Sequence, residues 1–271
     1  MARSLDKEWK KLVLQEEKSY REIEKKCLNE KTTRMNALKQ GVMEKIPEKM
    51  IVVLCDGFYK AFELIFLKGT YVIGKTYNEE ELNFQFFINN MSVERKPNAK
   101  SLRQMEKGIK KGQRMNTCTT MFEGIGLGAF GVGMPDIFLF LGIVLKGIYE
   151  TAIGYGYDYK DEREQILILK MIYASLVADD MKREANYDVE NWILHIDTLD
   201  YEGRLDEEMK KASSALSEAM LLSKFIQGFF IVGVIGGVIN PFIYQKIIKY
   251  VNLKYKKRYI NEKRKRIKNT R

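Results

Sequence analysis

At 271 residues, 45% hydrophobic and 30% charged, the chain is long enough to bury about three quarters of its unfolded surface in one or two domains. Only 4 Pro accompany 14 Phe and 15 Tyr, which excludes collagen-like and low-complexity classes. The formal net charge is +10, and the three thiols, Cys27, Cys55 and Cys118, share no CxxC spacing, so neither a disulfide framework nor a zinc knuckle is indicated and a reducing compartment fits.

The charge is unevenly placed. Residues 246–271 hold twelve Lys or Arg and one acid, a local charge of +11, while the preceding 245 residues sum to −1. Within that body, residues 158–210 carry fifteen acids against seven bases, and residues 94–114 carry eight bases against two acids. No apolar stretch follows Met1, so no secretory signal is expected and the chain is placed in the cytoplasm.

In chain order, Ser4 is a candidate cap for an amphipathic helix with Leu5, Trp9, Leu12, Val13, Tyr20, Ile23 and Cys27 on one face, fading by Thr32 and Thr33. Pro47 suits the first position of a second helix carrying Met50, Ile51, Leu54, Cys55, Phe58, Phe62, Ile65 and Phe66, ended by Gly69 and Gly74. Asn78, followed by Glu79, Glu80 and Glu81, is an N-cap with acids complementing the helix dipole, opening a third helix through Phe84, Phe87 and Ile88. Pro97 closes it, and residues 98–116 read as a basic helix. Further helical faces lie at Ile166, Leu167, Leu169, Ile172 and Leu176, and at Met209, Leu216, Met220 and Leu221. Only 69–77 and 189–196 alternate briefly like strands, so the expected class is all-α.

Two glycine-rich apolar segments stand out, 124–145 (GIGLGAFGVGMPDIFLFLGIVL) and 225–245 (FIQGFFIVGVIGGVINPFIYQ). Each is about 20 residues, or roughly 30 Å as a helix, the thickness of a bilayer core. Spanning is marginal, because Asp136 near the middle of the first costs about 2.5–3.5 kcal/mol, and because Gln227, Asn240 and Pro241 oppose insertion of the second. Pro135 and Pro241 each suit the start of a fresh helix, with Asp136 in its first turn and Asn240 as cap. A buried or re-entrant hairpin therefore fits better than two ordinary spans. Gly124, Gly128 and Gly131, and Gly233, Gly236 and Gly237, offer flat faces on which two backbones can pack closely. The plain alternative is that both segments form the close-packed centre of a soluble helical domain.

At these residues the chain resembles the EcsC family of bacterial proteins, in Gly124, Gly126, Gly128, Gly131, Pro135 and Asp136 continuing to Tyr155, Gly156 and Tyr157, and again in Gly233, Gly236, Gly237 and Asn240 followed by Tyr255, Arg258 and Tyr259. The likeness covers roughly Ile46 to Ile260. It departs at Phe229 and Phe230, where the family often has a proline. The resemblance implies a helical, membrane-associated bacterial protein whose family takes its name from a gene beside an ABC transporter; it implies no activity.

Catalytic motifs are scarce. Gly126, Gly128 and Gly131 match GxGxxG, but no strand precedes them, and no Walker A motif occurs. His195 is the single imidazole, and a lone His beside Asp197 is more often a surface residue than a base. Asp179, Asp180 and Glu184 have helical spacing for a metal, yet Lys182 and Arg183 between them read as a solvated face. No cofactor and no metal are expected.

The C-terminal stretch reads as a basic amphipathic helix. Ile243, Ile247, Ile248, Val251 and Tyr255 form its apolar stripe, and Lys246, Lys249, Lys254, Lys256, Lys257 and Arg258 are candidates for binding an anionic membrane surface. The plain alternative is a helix docked on the body with a solvated tail; nucleic acid is not expected, since no base-reading motif accompanies the charge.

The organisation expected is an amphipathic helical arm at 1–45, an all-α multi-helix domain at 46–260 built around the paired glycine segments, and a basic solvated tail at 261–271. The function expected is that of a non-catalytic accessory protein on the cytoplasmic side of a bacterial membrane, serving a complex such as an ABC transporter. A two-pass membrane protein with its acidic segment outside is the first alternative. The second is a soluble helical enzyme or ligand-binding protein using Asp136 or His195.

Overall fold

The computed structural model of the protein describes residues 2–27, 41, 46–66, 73, 77–115, 135–226 and 241–269. Among them every regular element is a helix: α1 (Ala2–Cys27), α2 (Glu48–Leu64), α3 (Glu79–Arg95), α4 (Ala99–Met115), α5 (Pro135–Tyr155), α6 (Glu162–Leu176), α7 (Lys182–His195), α8 (Arg204–Ile226) and α9 (Pro241–Asn269). The class is all-α. The 189–196 stretch is the end of α7, not a strand. Ala185, Val189, Trp192 and Ile196 are buried, at steps of four, three and four, and that spacing belongs to a helical face.

Local chemistry sets the ends. Asn78 Oδ1 accepts from the Glu81 N–H at 3.0 Å, and three glutamates fill the first turn of α3. Asn98 Oδ1 accepts from the N–H groups of Lys100 at 2.9 Å and Ser101 at 3.1 Å, starting α4 only three residues after α3 ends. Pro47 sits one place earlier than expected, at the cap position ahead of Glu48. Ser4 lies inside α1, which begins at Ala2, and so does not cap it. Asp161 Oδ1 accepts from the Arg163 N–H at 2.9 Å and opens α6.

Helix α5 is the axis of one half of the molecule. It is long and apolar enough to cross a bilayer by length and composition, but 94% of its apolar window is enclosed, by α2, α3, α4 and α9. Burial on all sides explains its lack of a polar face. Even Lys146 and Glu150, 3.5 Å apart, are inside. Phe58 of α2 meets Phe140 edge-on at 6.3 Å. At Gly154 the helix draws close to α4, where an added Cβ would lie 2.5 Å from an Ile109 side-chain carbon.

Helix α6 is the axis of the other half, packed by α7, α8 and α9 and buried at twelve positions. Its Lys170 is inside, bonded to Asp188 of α7 at 2.6 Å and Glu208 of α8 at 3.0 Å. Small residues on α8, Ala212, Ser213 and Ser217, let it approach, and the two serines return their hydroxyls to the carbonyls of Met209 and Ser213. Helix α8 also packs on α2, and α9 runs across both halves with α1 laid along it.

The glycine positions Gly124, Gly128, Gly131, Gly233, Gly236 and Gly237, and Asn240 with them, lie outside the described residues. So does the proposed packing of one glycine tract on the other.

Candidate functional site

The chemistry of the described residues concentrates along α9. Pro135 and Pro241 are the first residues of α5 and α9; the side chain of Asp136 lies outside the described residues.

From Tyr250 onward α9 carries cations on every side, and neighbouring helices supply an anion for most of them. Lys254 is 0% exposed and donates to Glu16 of α1 and to Asn186 and Glu190 of α7, the last at 2.5 Å. Lys257, one turn on, donates to the same two carboxylates, Glu16 at 2.5 Å and Glu190 at 2.8 Å. The four charges cancel. Desolvation acts to raise the Glu190 carboxyl, but Lys254 and Lys257 outweigh it and hold it below the usual carboxylate range. Further along, Lys256 pairs with Glu106 of α4, Lys263 with Glu94 of α3, and Arg264 with Asp6 of α1 at 2.5 Å while its guanidinium lies 4.3 Å from the centre of the Trp9 ring.

A second cluster joins two sequence blocks about a hundred residues apart. Tyr157, just past α5, stacks on Tyr255 with ring centres 5.4 Å apart, and Tyr155 meets Tyr259 at 5.9 Å. Arg258 covers the Tyr157 ring at 3.9 Å and donates to Glu164 Oε2 at 2.8 Å. Burial drives the Glu164 carboxyl up despite Arg258, and raises the Tyr157 and Tyr255 hydroxyls well above their ordinary range. The turn that delivers Tyr157 needs Gly156, whose φ is +84°. Its N–H bonds to the Ile153 carbonyl and that of Tyr157 to the Ala152 carbonyl, both at 2.9 Å, closing the helix end as a Schellman motif.

These positions bear on the expectation of a lipid-facing C-terminal helix and overturn it at two residues, Lys254 and Lys257. Of the six cations proposed for a membrane surface, Lys254 and Lys257 are buried, and Lys256 and Arg258 are half-buried in ion pairs. Lys246 is half-buried, and Lys249 is exposed. The helix also continues through the region expected as a solvated tail, with Lys263 and Arg264 docked. The physical reason is reach: a lysine stem packs along apolar surface while its ammonium finds a carboxylate on the next helix, which one helix's own periodicity does not reveal. Sequence reasoning missed Glu16, Glu164 and Glu190 as the partners. The signal available for Glu164 and Glu190 was the complementary surplus of acids in 158–210 and bases in 246–271; Glu16 lies outside it.

The arrangement is suited to holding helices together by neutral, desolvated charge clusters. His195 is exposed at the end of α7, its Nδ1 3.0 Å from the Asn191 carbonyl oxygen. Asp179 pairs with Lys182. Among the described residues no group of three His, Cys, Asp or Glu side chains could hold a metal ion.

The seam predicts an acid response. Lys263 bonding to Glu94 and Arg264 bonding to Asp6 hold those carboxyls low, as Glu190 is held low. A carboxyl depressed in the folded state contributes stability above its unfolded value, near pH 4, and that contribution is lost as pH falls through the folded value. Glu164, raised, works in the opposite sense. Urea unfolding between about pH 6 and pH 3 is therefore expected to show falling stability, with a shallower slope in Asp6→Asn/Glu94→Gln; an unchanged slope would mean the pairs are solvated.

A sequence model of the EcsC protein family matches residues 8–260, which takes in most of α1 and ends ahead of the last basic residues. Protein EcsC of Bacillus subtilis (strain 168) is 25% identical over 196 residues, spanning 72% of this chain and 70% of that protein. No solved structure matches.

Proposed function

The chain belongs to the EcsC protein family, and from that premise we propose that it is a non-catalytic accessory protein working at the cytoplasmic face of a bacterial membrane, attached peripherally or by a re-entrant segment and serving a membrane complex of the ABC-transporter kind. One observation carries the choice of a one-sided attachment over a two-pass topology. The acidic segment and the C-terminal helix share a single body, tied by Arg258 to Glu164 at 2.8 Å and by Lys254 and Lys257 to Glu190 at 2.5 and 2.8 Å. Segments so paired do not stand on opposite sides of a bilayer. The enclosure of α5 weighs the same way, since a helix whose apolar surface is covered by protein has little left to offer lipid.

Cell fractionation tests this. The protein is expected in the membrane pellet, released by carbonate where attachment is peripheral and by detergent alone where a re-entrant segment holds it. A cysteine introduced at exposed Asp197 is expected to resist an impermeant thiol reagent in intact cells. Recovery wholly in the soluble fraction would refute membrane attachment; labelling from outside would restore the two-pass topology.

A further inference from the structure

We propose, resting on the membrane-surface reading above, that the outer face of the α3–α4 hairpin is the surface that docks on the bilayer, taking anionic lipid headgroups on α4 and acyl-chain contact on α3. The two helices run antiparallel, joined by residues 96–98, with Asn89 of α3 set against Gly108 of α4. Both lay their inner faces on α5. Val93 is buried and Phe86 packs at Gly156 from α3, while Leu102, Met105 and Ile109 are buried from α4. The exposed positions of both helices are thereby turned away from α5.

What those positions carry is unusual for a water-facing surface. On α3, Phe84, Phe87, Ile88 and Met91 are spaced i, i+3, i+4, i+7, and each is between 46% and 60% exposed. Four large apolar side chains in one helical stripe are a patch and not scattered exposure. On α4, Lys100, Arg103, Lys107 and Lys110 are spaced i, i+3, i+7, i+10 and all are exposed. The one acid on the described part of α4, Glu106, is taken up by Lys256. Exposed Arg95 and Lys96 continue the positive charge around the hairpin turn, while Glu80 and Glu81 stand at the far end of α3, in its first turn. A basic helical stripe of the surface-binding kind is thus present on α4, whereas on α9 six of the cations, Lys254, Lys256, Lys257, Arg258, Lys263 and Arg264, are taken up by carboxylates of neighbouring helices.

An apolar ridge beside a cationic stripe matches the boundary of an anionic bilayer, in which headgroup phosphates lie beside acyl chains within a few ångströms of depth. A polyanion such as RNA would use the stripe and leave the ridge wet, and a soluble protein partner would have no need of lipid.

Co-sedimentation of the purified full chain with phosphatidylcholine vesicles, with and without phosphatidylglycerol, tests the assignment. Three variants are compared at matched melting temperature: Phe84→Gln/Phe87→Gln/Ile88→Gln, Lys100→Glu/Arg103→Glu/Lys107→Glu/Lys110→Glu, and Lys249→Glu/Lys265→Glu on exposed α9 positions. The wild type is expected to bind vesicles containing phosphatidylglycerol, and each hairpin variant to lose more than about tenfold in partitioning, with the α9 variant unchanged. Wild-type levels of binding by both hairpin variants would overturn this surface and leave the membrane reading standing. Loss on charge reversal alone would leave headgroup binding on α4 and overturn the acyl-chain contact assigned to α3. A wild type that pellets with cell membranes but not with vesicles would assign the face to a membrane protein instead. A wild type that pellets with neither would remove the underlying reading itself.

Discussion

Lys254→Met is expected to cost about 3–5 kcal/mol of unfolding free energy, the range for breaking a buried ion pair by removing one partner. The loss does not come from an attraction of that size. Lys254, Lys257, Glu16 and Glu190 form a neutral group, and a neutral group in a low-dielectric site is nearly balanced between desolvation and Coulomb terms. Removing Lys254 leaves two carboxylates facing one ammonium; Glu16 is only 8% exposed, so its share of the surplus charge has little water to turn to, and only Glu190 reaches solvent. Urea unfolding measures the effect. The double variant Lys254→Met/Glu16→Met, neutral again, is expected to recover most of it, whereas Lys60→Met, which breaks the exposed pair with Asp56, is expected to cost less than about 1 kcal/mol. A loss that small at Lys254 would mean that water reaches the site.

Gly156→Ala is expected to cost about 2–4 kcal/mol, from two separable sources. An alanine at φ +84° pays about 1–2 kcal/mol for the left-handed conformation, and its methyl group would overlap the Phe86 ring, adding an overpacking cost of about 1–3 kcal/mol. A small gain from a stiffer unfolded chain offsets part of this. Making the same change in a Phe86→Leu background separates the sources: the packing cost is expected to shrink and the conformational cost to remain. If the two backgrounds lose equally, Phe86 moves aside freely and the turn alone is responsible. Because this turn presents Tyr157 to Tyr255 and Arg258, loss of near-ultraviolet circular dichroism is expected alongside loss of stability.

How far the fold was legible follows from the range of each signal. Caps and breaks act within a turn of helix, so Asn78, Pro97 and Asn98 announce α3 and α4 directly, and Pro135 and Pro241 stand where α5 and α9 begin. Apolar periodicity gave α6 and α8 but understated α6, which is buried nearly all round and so includes Lys170 and Glu164 in its interior. The two blocks that carry the family likeness, around Tyr157 and around Tyr255 and Arg258, could each be read; that they stack on one another is a tertiary fact with no local trace. The charge surplus at the C-terminus is visible in the sequence, but the burial of Lys254 and Lys257 is not, because a single-helix pattern treats every lysine off the apolar stripe as solvated. Conversely, the sequence places Phe84, Phe87 and Ile88 on a helix, and only the structure shows them on the outside.

The pairing of Asp6 with Arg264 brings the first helix and the last into one contact, and this has a bearing on how the protein comes into being. A ribosome makes α1 first and α9 last. Until the final 29-residue helix has been made, Glu16, Glu94, Glu106, Glu164 and Glu190 have no counter-charge from it, and neither half of the molecule is closed. The charge balance of the body is therefore complete only when α9 is in place, and both halves share that one helix as their closing contact.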